Sequence, residues 1–516
     1  MKIIDNKALL LKVQHPNRIT TVIPKSKLLD SGEVLVKWGL EESQVLKNLK
    51  IKNVPSPILG TYKFTGFYQP FEHQKTTAAF LTLHRRAFCF NEQGTGKTGS
   101  VIWACDYLMN IGAIKRVLVI CPLSIMQSAW QNDLFKFAMH RSTAIAHSYS
   151  REKRIKAVDS GAEFVIINYD GLNIIKDAVL ANEFDLIVVD EANAYKTVGT
   201  QRYKTLQHIL KQSTWLWMLT GTPASQSPTD AYGLARLVNP NGVPKFYGLF
   251  RDMVMWKITQ FKWVPKPESE QTVHNALQPA IRFTKEECLD LPSMTYTDRH
   301  VPLTPQQEKY YELIRRDMLV VAAGEEITTV NAAANLNKLL QLSCGAVYSD
   351  SGEVVEFDAS NRINALKEVI EEASHKVLVF VPYRHAIHIV TEELKKAGVT
   401  AEIINGAVSA SKRTDIFARF QTEADPKVLV IQPQAAAHGV TLTAANIVVW
   451  FSPITSVETY LQANARVHRA GQHNPCTVVH LGGSPVEKKM YKMLQSKVDI
   501  HIRMIDLYKN IIEDDT

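Results

Sequence analysis

Two stretches of this chain carry residues whose types and spacing suit phosphate chemistry. NEQGTGKT at 91–98 places Gly94 and Gly96 where a chain must turn sharply, then Lys97 and Thr98. Small residues that expose backbone N–H groups, a lysine for the β- and γ-phosphates and a hydroxyl for Mg²⁺ are what a phosphate loop needs. Asn91 stands where the first glycine of the usual G-x-x-x-x-G-K-[ST] pattern would be. QANARVHRAGQ at 462–472 supplies Arg466 and Arg469, three residues apart. On a helix that spacing would point both guanidinium groups from one face toward a γ-phosphate, and an arginine so placed is worth roughly 10³ to 10⁵ in rate. Between them, Asp190 and Glu191 close the apolar run LIVV. An aspartate reaching Mg²⁺, mostly through water, and a glutamate that orients and deprotonates the attacking water suit phosphoanhydride hydrolysis.

Elements must hold these groups together. The loop follows the apolar run at 87–90 and precedes a helical pattern at 101–109, the strand–loop–helix context that phosphate binding requires. Apolar runs VLVICP (117–122), FVIINY (164–169), LIVVDEA (186–192) and LWMLTGTP (216–223) alternate with helical stretches. A second series follows: KVLVFVPY (376–383), AEIING (401–406), KVLVIQP (427–433) and NIVVWFS (446–452). Each predicts an α/β unit with a parallel sheet, and in such sheets the carboxyl ends of the strands line the ligand crevice. Residues 240–300 have no clean period and read as linker and irregular helix, after which Thr304, Pro305 and Gln307 form a capping-box signature for a helical spacer.

Composition excludes several classes. The 516 residues are 46% hydrophobic and 21% charged, an ordinary globular balance. With no run of eighteen apolar residues and no signal-peptide core at the start, the expectation is a soluble, cytoplasmic protein. The six cysteines, Cys89, Cys105, Cys121, Cys288, Cys344 and Cys476, include no Cys-x-x-Cys pair, which argues against zinc and disulfide frameworks. The formal charge is +8, and residues 1–60 hold ten Lys/Arg against five Asp/Glu. That segment predicts a small β-rich unit, through ITTVIPKSKLL and EVLVKWGL, with either a solvated or a DNA-contacting basic face.

The chain resembles the superfamily two helicase-like ATPases of the Swi/Snf type, the double-stranded DNA translocases, in its compact phage or bacterial form. The resemblance rests on PFEHQ (70–74), the phosphate loop, CPLSIMQSAW (121–130), DEANAYKT (190–197), MLTGTPASQSPTDAYGLARLVNP (218–240), LQPAIRFTKEECLDLP (277–292), NGAVSASKRTDIFARFQ (405–421), AAAHGVTLTAAN (435–446) and QANARVHRAGQ, in the family's order. It implies two RecA-like lobes in tandem: an accessory segment over 1–60, lobe one over 61–240, linker and spacer over 241–345, and lobe two over 346–516 with a C-terminal bracing helix. It implies an ATP-hydrolysing motor on double-stranded or branched DNA, acting as a monomer without zinc or membrane. Lys97, Asp190, Glu191, Arg466 and Arg469 would be catalytic, with Thr98 and Asp190 on Mg²⁺. Gln74, Gly94, Thr95, Gly96, Lys97, Thr98, Gly439 and Gln462 would hold ATP, Gln74 gripping the base edge. Ser124, Lys196, Thr220, Arg413 and Thr441 would touch nucleic acid. Asn193 replaces the family's usual histidine, and Ala436, Ala437 and His438 its Gly-Gly-Leu. A strand-separating helicase and a nucleotide-gated clamp with little hydrolysis are the alternative readings.

Overall fold

The computed structural model describes the chain except residues 222, 225–226, 260–262, 289–290, 325–328, 349–353, 437–439 and 497–516. The chain divides into two compact units, Met1–Cys288 and Leu289–Thr516.

The first unit is built on a seven-stranded parallel sheet in the order Ala280–Ile281, Arg86–Cys89, Trp215–Leu219, Leu186–Val189, Val117–Cys121, Phe164–Asn168 and Thr143–Ile145. Successive side chains of a strand point to opposite faces, and here both faces are covered. Ala87, Val117, Val119 and Trp217 enter one core, while Phe88, Leu118, Ile120 and Met218 enter the other. Burial on both sides is why these strands are nearly continuous in apolar residues.

The order has a consequence for chemistry. The strand feeding the phosphate loop and the strand ending at Asp190 flank Trp215–Leu219, so their tips lie two strand spacings apart, about 10 Å. Across that gap the charge of Lys97 acts on the carboxylate of Asp190.

Residues 1–60 form a four-stranded antiparallel sheet, ordered Lys2–Ile4, Ala8–Leu11, Val34–Lys37, Ser26–Leu28. The β-branched ITTV is helical, within Pro16–Val22, because Pro16 occupies the first turn and Ile19 packs into the core with Leu9, Val34 and Val36. Packing overrides the local strand propensity.

The second unit repeats the architecture with six parallel strands: Met294–His300, Cys476–Gly482, Ala445–Trp450, Lys376–Phe380, Val428–Ile431 and Ala401–Ile404. Leu378, Phe380 and Trp450 face one core, Val377, Val379 and Val449 the other. Residues 240–300 therefore do more than link: they give an edge strand to each sheet, besides the helices Tyr247–Val254 and Ser269–Ala276. The capping box forms, with Thr304 N donating to Gln307 Oε1 at 3.0 Å and Gln307 N to Thr304 Oγ1 at 3.4 Å. Of the C-terminal stretch expected to brace this unit, residues 497–516 lie outside the described residues, and the helix Pro485–Gln495 buries Met490 and Leu494. Its Glu487 is fully buried against Arg362 at 2.8 Å. Among the described residues, no helix is long and apolar enough to cross a membrane.

Candidate nucleotide site

The phosphate loop rises from Cys89 and ends in the helix Lys97–Asn110, whose N-cap is Gly96. Gly94 and Gly96 have φ of 88° and 77°, the left-handed region that a side chain rarely adopts. A Cβ on Gly96 would also lie 2.0 Å from Gln74 Nε2. Backbone N–H groups at the start of a helix of this length favour an anion. Thr98 lies half-buried in the first turn. Lys97 Nζ now donates to the carbonyls of Asn91 at 2.8 Å and Glu92 at 3.3 Å.

Two residues brace the loop from below. His73 Nε2 lies 2.8 Å from the Thr95 carbonyl, and Gln74 Nε2 donates to that oxygen at 3.3 Å. The Gln74 side-chain oxygen Oε1 accepts from Phe71 N at 2.9 Å. Gln74 is thus packed against the phosphate loop, with its amide spanning Phe71 and Thr95.

Asn91 gives the departure from the loop pattern a physical reason. It is fully buried, donates from Nδ2 to Thr77 Oγ1 at 2.8 Å and accepts from Phe283 N at 3.1 Å. A glycine could do neither. The side chain pins the loop to the helix Glu72–Thr82 and to the segment after the edge strand Ala280–Ile281.

Asp190 is buried beside this loop. Its Oδ2 accepts from Trp130 Nε1 at 2.9 Å and its Oδ1 from Glu191 N at 2.9 Å. Burial raises its pKa above the ordinary carboxylate value, and the Lys97 charge, the indole and the Glu191 amide oppose that rise. Glu191 follows with φ 48°, a conformation costing about 1–3 kcal/mol for a residue with a side chain. Such outliers cluster at reactive sites because the surroundings hold them. Here Tyr169 donates its hydroxyl to the Asp190 carbonyl at 2.6 Å, and Gln93 Nε2 donates to Glu191 Oε1 at 3.1 Å. The phosphate loop itself therefore aims the second carboxylate.

Trp130, Gln93 and Tyr169 were not singled out from the sequence. Trp130 closes the CPLSIMQSAW stretch, and that was the only available signal. The other two act across 98 and 21 positions, which one sequence does not disclose.

In the second unit, the arginines lie beyond the helix Val457–Asn464 rather than on it. The chain turns at Ala465, and both guanidinium groups reach one acceptor: the Val440 carbonyl, 3.1 Å from Arg469 Nη1 and 3.5 Å from Arg466 Nη1. Leu442 N donates to the Arg466 carbonyl at 2.9 Å. Gln472 adds bonds to the carbonyls of Thr443, Ala445 and Val467. The arginine segment and the chain at 440–445 are therefore tied together. Gln462 is buried and donates to Glu458 at 3.2 Å. Gly439, Ala437 and His438 lie outside the described residues.

The residues expected to meet nucleic acid are scattered in character. Lys196 pairs with Asp230 at 3.0 Å. Thr220 is fully buried at the end of its strand, its N–H donating to the Cys89 carbonyl. Arg413 donates to the carbonyls of Asn405 and Val408, and burial lowers its pKa. Thr441 is exposed, and Ser124 lies in the short turn Leu123–Ile125, its side chain outside the described set.

Residues 72–345 match the SNF2-related domain, and residues 361–471 the helicase conserved C-terminal domain. An uncharacterized ATP-dependent helicase of Mycoplasma genitalium is 25% identical over 431 residues, which cover 82% of this chain and 40% of that protein. The chromodomain-helicase-DNA-binding protein 1-like of Mus musculus is 26% identical over 439 residues, covering 81% and 47%. Protein p41 of Acyrthosiphon pisum secondary endosymbiont phage 1 is 25% identical over 441 residues, covering 80% and 93%. The chain thus spans less than half the length of the Mycoplasma and mouse relatives. Among solved structures, the Sulfolobus solfataricus SWI2/SNF2 ATPase core in complex with dsDNA aligns with a TM-score of 0.42 at 24% identity, covering 88% of this chain and 94% of that one.

Proposed function

The chain belongs to the SNF2-related family, and on that premise we propose that it hydrolyses ATP to move along double-stranded or branched DNA. The observation that carries the reading is the single cluster in the first unit. Lys97, Asp190 and Glu191 converge there, with Trp130 and Gln93 holding the two carboxylates.

Lys97 leaves the loop carbonyls for the β- and γ-phosphates, which the backbone between Gly94 and Thr98 cradles at the helix N-terminus. Gln74 positions the loop through Thr95 and offers its remaining amide hydrogen to the base. Lys97 and the indole oppose the burial that raises the Asp190 pKa. Glu191 accepts a proton from the attacking water while Gln93 fixes its direction. Arg466 and Arg469 are the second unit's candidates for supplying positive charge to a phosphoryl group. Gln462 is the second unit's candidate for a nucleotide contact, and Gly439 lies outside the described residues. The donor set suits Mg²⁺, since a hydroxyl at the head of the helix and a buried carboxylate near a lysine are oxygen ligands of the kind it takes. Thr98 and Asp190 would hold it, and it would neutralise phosphate charge.

Ser124 and Lys196 in the first unit, and Arg413 and Thr441 in the second, are the candidates for contact with a DNA backbone; Thr220, being fully buried, is not available as one. Lys196 exchanges Asp230 for a phosphate when it engages. The mouse relative's designation as a helicase and DNA-binding protein supports a nucleic-acid track.

Displacement of a third strand from a triplex, run beside unwinding of a plain duplex, tests the movement. ATP-dependent triplex displacement without unwinding is expected. Unwinding of the duplex would establish the strand-separating reading instead, and binding with neither would leave a clamp.

A further inference from the structure

The sheet of residues 1–60 has two unlike faces. Leu9, Leu11, Val34 and Val36 are buried against Ile19, Trp38 and Leu46. On the other face, the register sets Lys2 opposite Leu10, Leu10 opposite Leu35, and Leu35 opposite Lys27. The neighbouring row runs from Ile4 through Ala8 to Lys37. Lys2, Lys27 and Lys37 are exposed and make no ion pair among the described residues, whereas Lys25 just beyond is matched by Glu42 at 3.9 Å. No acid sits in either row.

We propose that this face is a second nucleic-acid contact, binding the phosphodiester backbone of duplex DNA independently of the nucleotide site. Three features favour a polyanion over an apolar partner. Leu10 and Leu35 are only half exposed, as expected where lysine stems lie over an apolar strip and present their ammonium groups to solvent. Lys2 and Lys27 stand on the two outer strands, three strand spacings apart, about 14 Å. That span is comparable to the ~12 Å width of a B-DNA major groove, so the pair can meet phosphates on both sides of it. The contacts are lysines, which hold phosphate as point charges and read no bases.

The face is fixed to the motor unit, not hung from a linker. Trp38 Nε1 donates to the Pro55 carbonyl at 2.9 Å, Gln44 Nε2 to the Thr82 carbonyl at 3.2 Å, and the Ser56 and Thr82 hydroxyls bond at 2.7 Å. Thr82 ends the helix whose other end carries His73 and Gln74 to the phosphate loop. DNA held on the sheet is therefore held at a set distance from the nucleotide.

The test uses the full chain and a blunt, fluorescently labelled DNA duplex, with equilibrium anisotropy across a salt series and no nucleotide. Two double variants carry the same charge change: Lys2→Glu with Lys27→Glu on the face, and Arg18→Glu with Lys52→Glu, exposed residues carried on the opposite, helical side of the sheet. Both should melt like the wild type. The face variant should lose about tenfold or more in affinity, and its log K against log salt slope should become shallower by roughly 2, near 0.9 per lost phosphate contact. The control should lose far less. Equal losses in both variants, or an unchanged slope in the face variant, would overturn the proposal. Because no turnover is measured, a wild type that lacks DNA-stimulated hydrolysis would sink the motor reading and leave this comparison intact.

Discussion

Trp130 donates its indole N–H to a carboxylate oxygen of Asp190 at 2.9 Å. This bond joins two stretches that the sequence presents separately, and it opposes the burial that raises the Asp190 pKa. Removing a donor to the charged form raises a carboxyl pKa further. Turnover needs Asp190 ionised, so activity should fall as pH drops through that value. Trp130→Phe is expected to lower kcat about tenfold or more and to move the acid limb of the pH–rate profile upward, the equivalent of losing a charge-assisted bond of about 1.5–3 kcal/mol. A profile that keeps its acid limb would remove the electrostatic role.

Asn91 offers a second test because it departs from the family pattern. Asn91→Gly restores the pattern but removes the acceptor of the Phe283 N–H and one of the two bonds of the Thr77 hydroxyl, which keeps its bond to the His73 carbonyl, and the loop loses its buried anchor. Leaving buried polar groups unmatched costs about 1–3 kcal/mol each. Thermal melting should therefore show a less stable protein. An Asn91→Gly variant as stable as the parent would mean the pin contributes nothing.

Gly96→Ala should abolish nucleotide binding. Its φ of 77° strains any side chain, and the new methyl would collide with Gln74 Nε2. Titration with a fluorescent ATP analogue reads the loss directly. Normal affinity in Gly96→Ala would show that the loop is not the site.

The buried pair Arg362–Glu487 gives a stability prediction in the second unit. Burial alone would raise the Glu487 pKa, but the Arg362 charge and the N–H groups of Gly483 and Ser484 outweigh it and hold it below the usual value. A carboxyl depressed on folding stabilises above its unfolded pKa of about 4.3, and that contribution is lost as pH falls through the folded value. Arg362→Met should destabilise by about 3–5 kcal/mol at neutral pH, because it leaves a buried carboxylate without its partner. The deficit should shrink as the solution is acidified below the unfolded value. A deficit independent of pH would point to packing alone.

The legible parts of the molecule were those that repeat a local rule. Strands such as Val117–Cys121 and Lys376–Phe380 are buried on both faces, so they read as apolar runs. The phosphate loop and the Asp190–Glu191 pair sit at strand ends, where turn chemistry marks them. Some edge strands escaped: Met294–His300 is largely exposed, and Ala280–Ile281 is too short to show a period, whereas Ala401–Ile404, at the other edge of the second sheet, was legible. Arg466 and Arg469 suggested a helix by spacing, but the turn after Asn464 depends on Leu442 and Val440, which lie elsewhere in the chain. The partners of Lys196, Asn91 and Asp190 are likewise long-range pairings, and local sequence carries no signal for them.

The central claim is that the cluster around Lys97 and Glu191 burns ATP in response to duplex DNA. Steady-state ATP hydrolysis with blunt duplex, single-stranded DNA and RNA, for the wild type, Lys97→Ala and Glu191→Gln, tests it most directly. Stimulation of the wild type by duplex is expected, with both variants at background. Stimulation only by single strands or RNA, or an active Lys97→Ala, would contradict it.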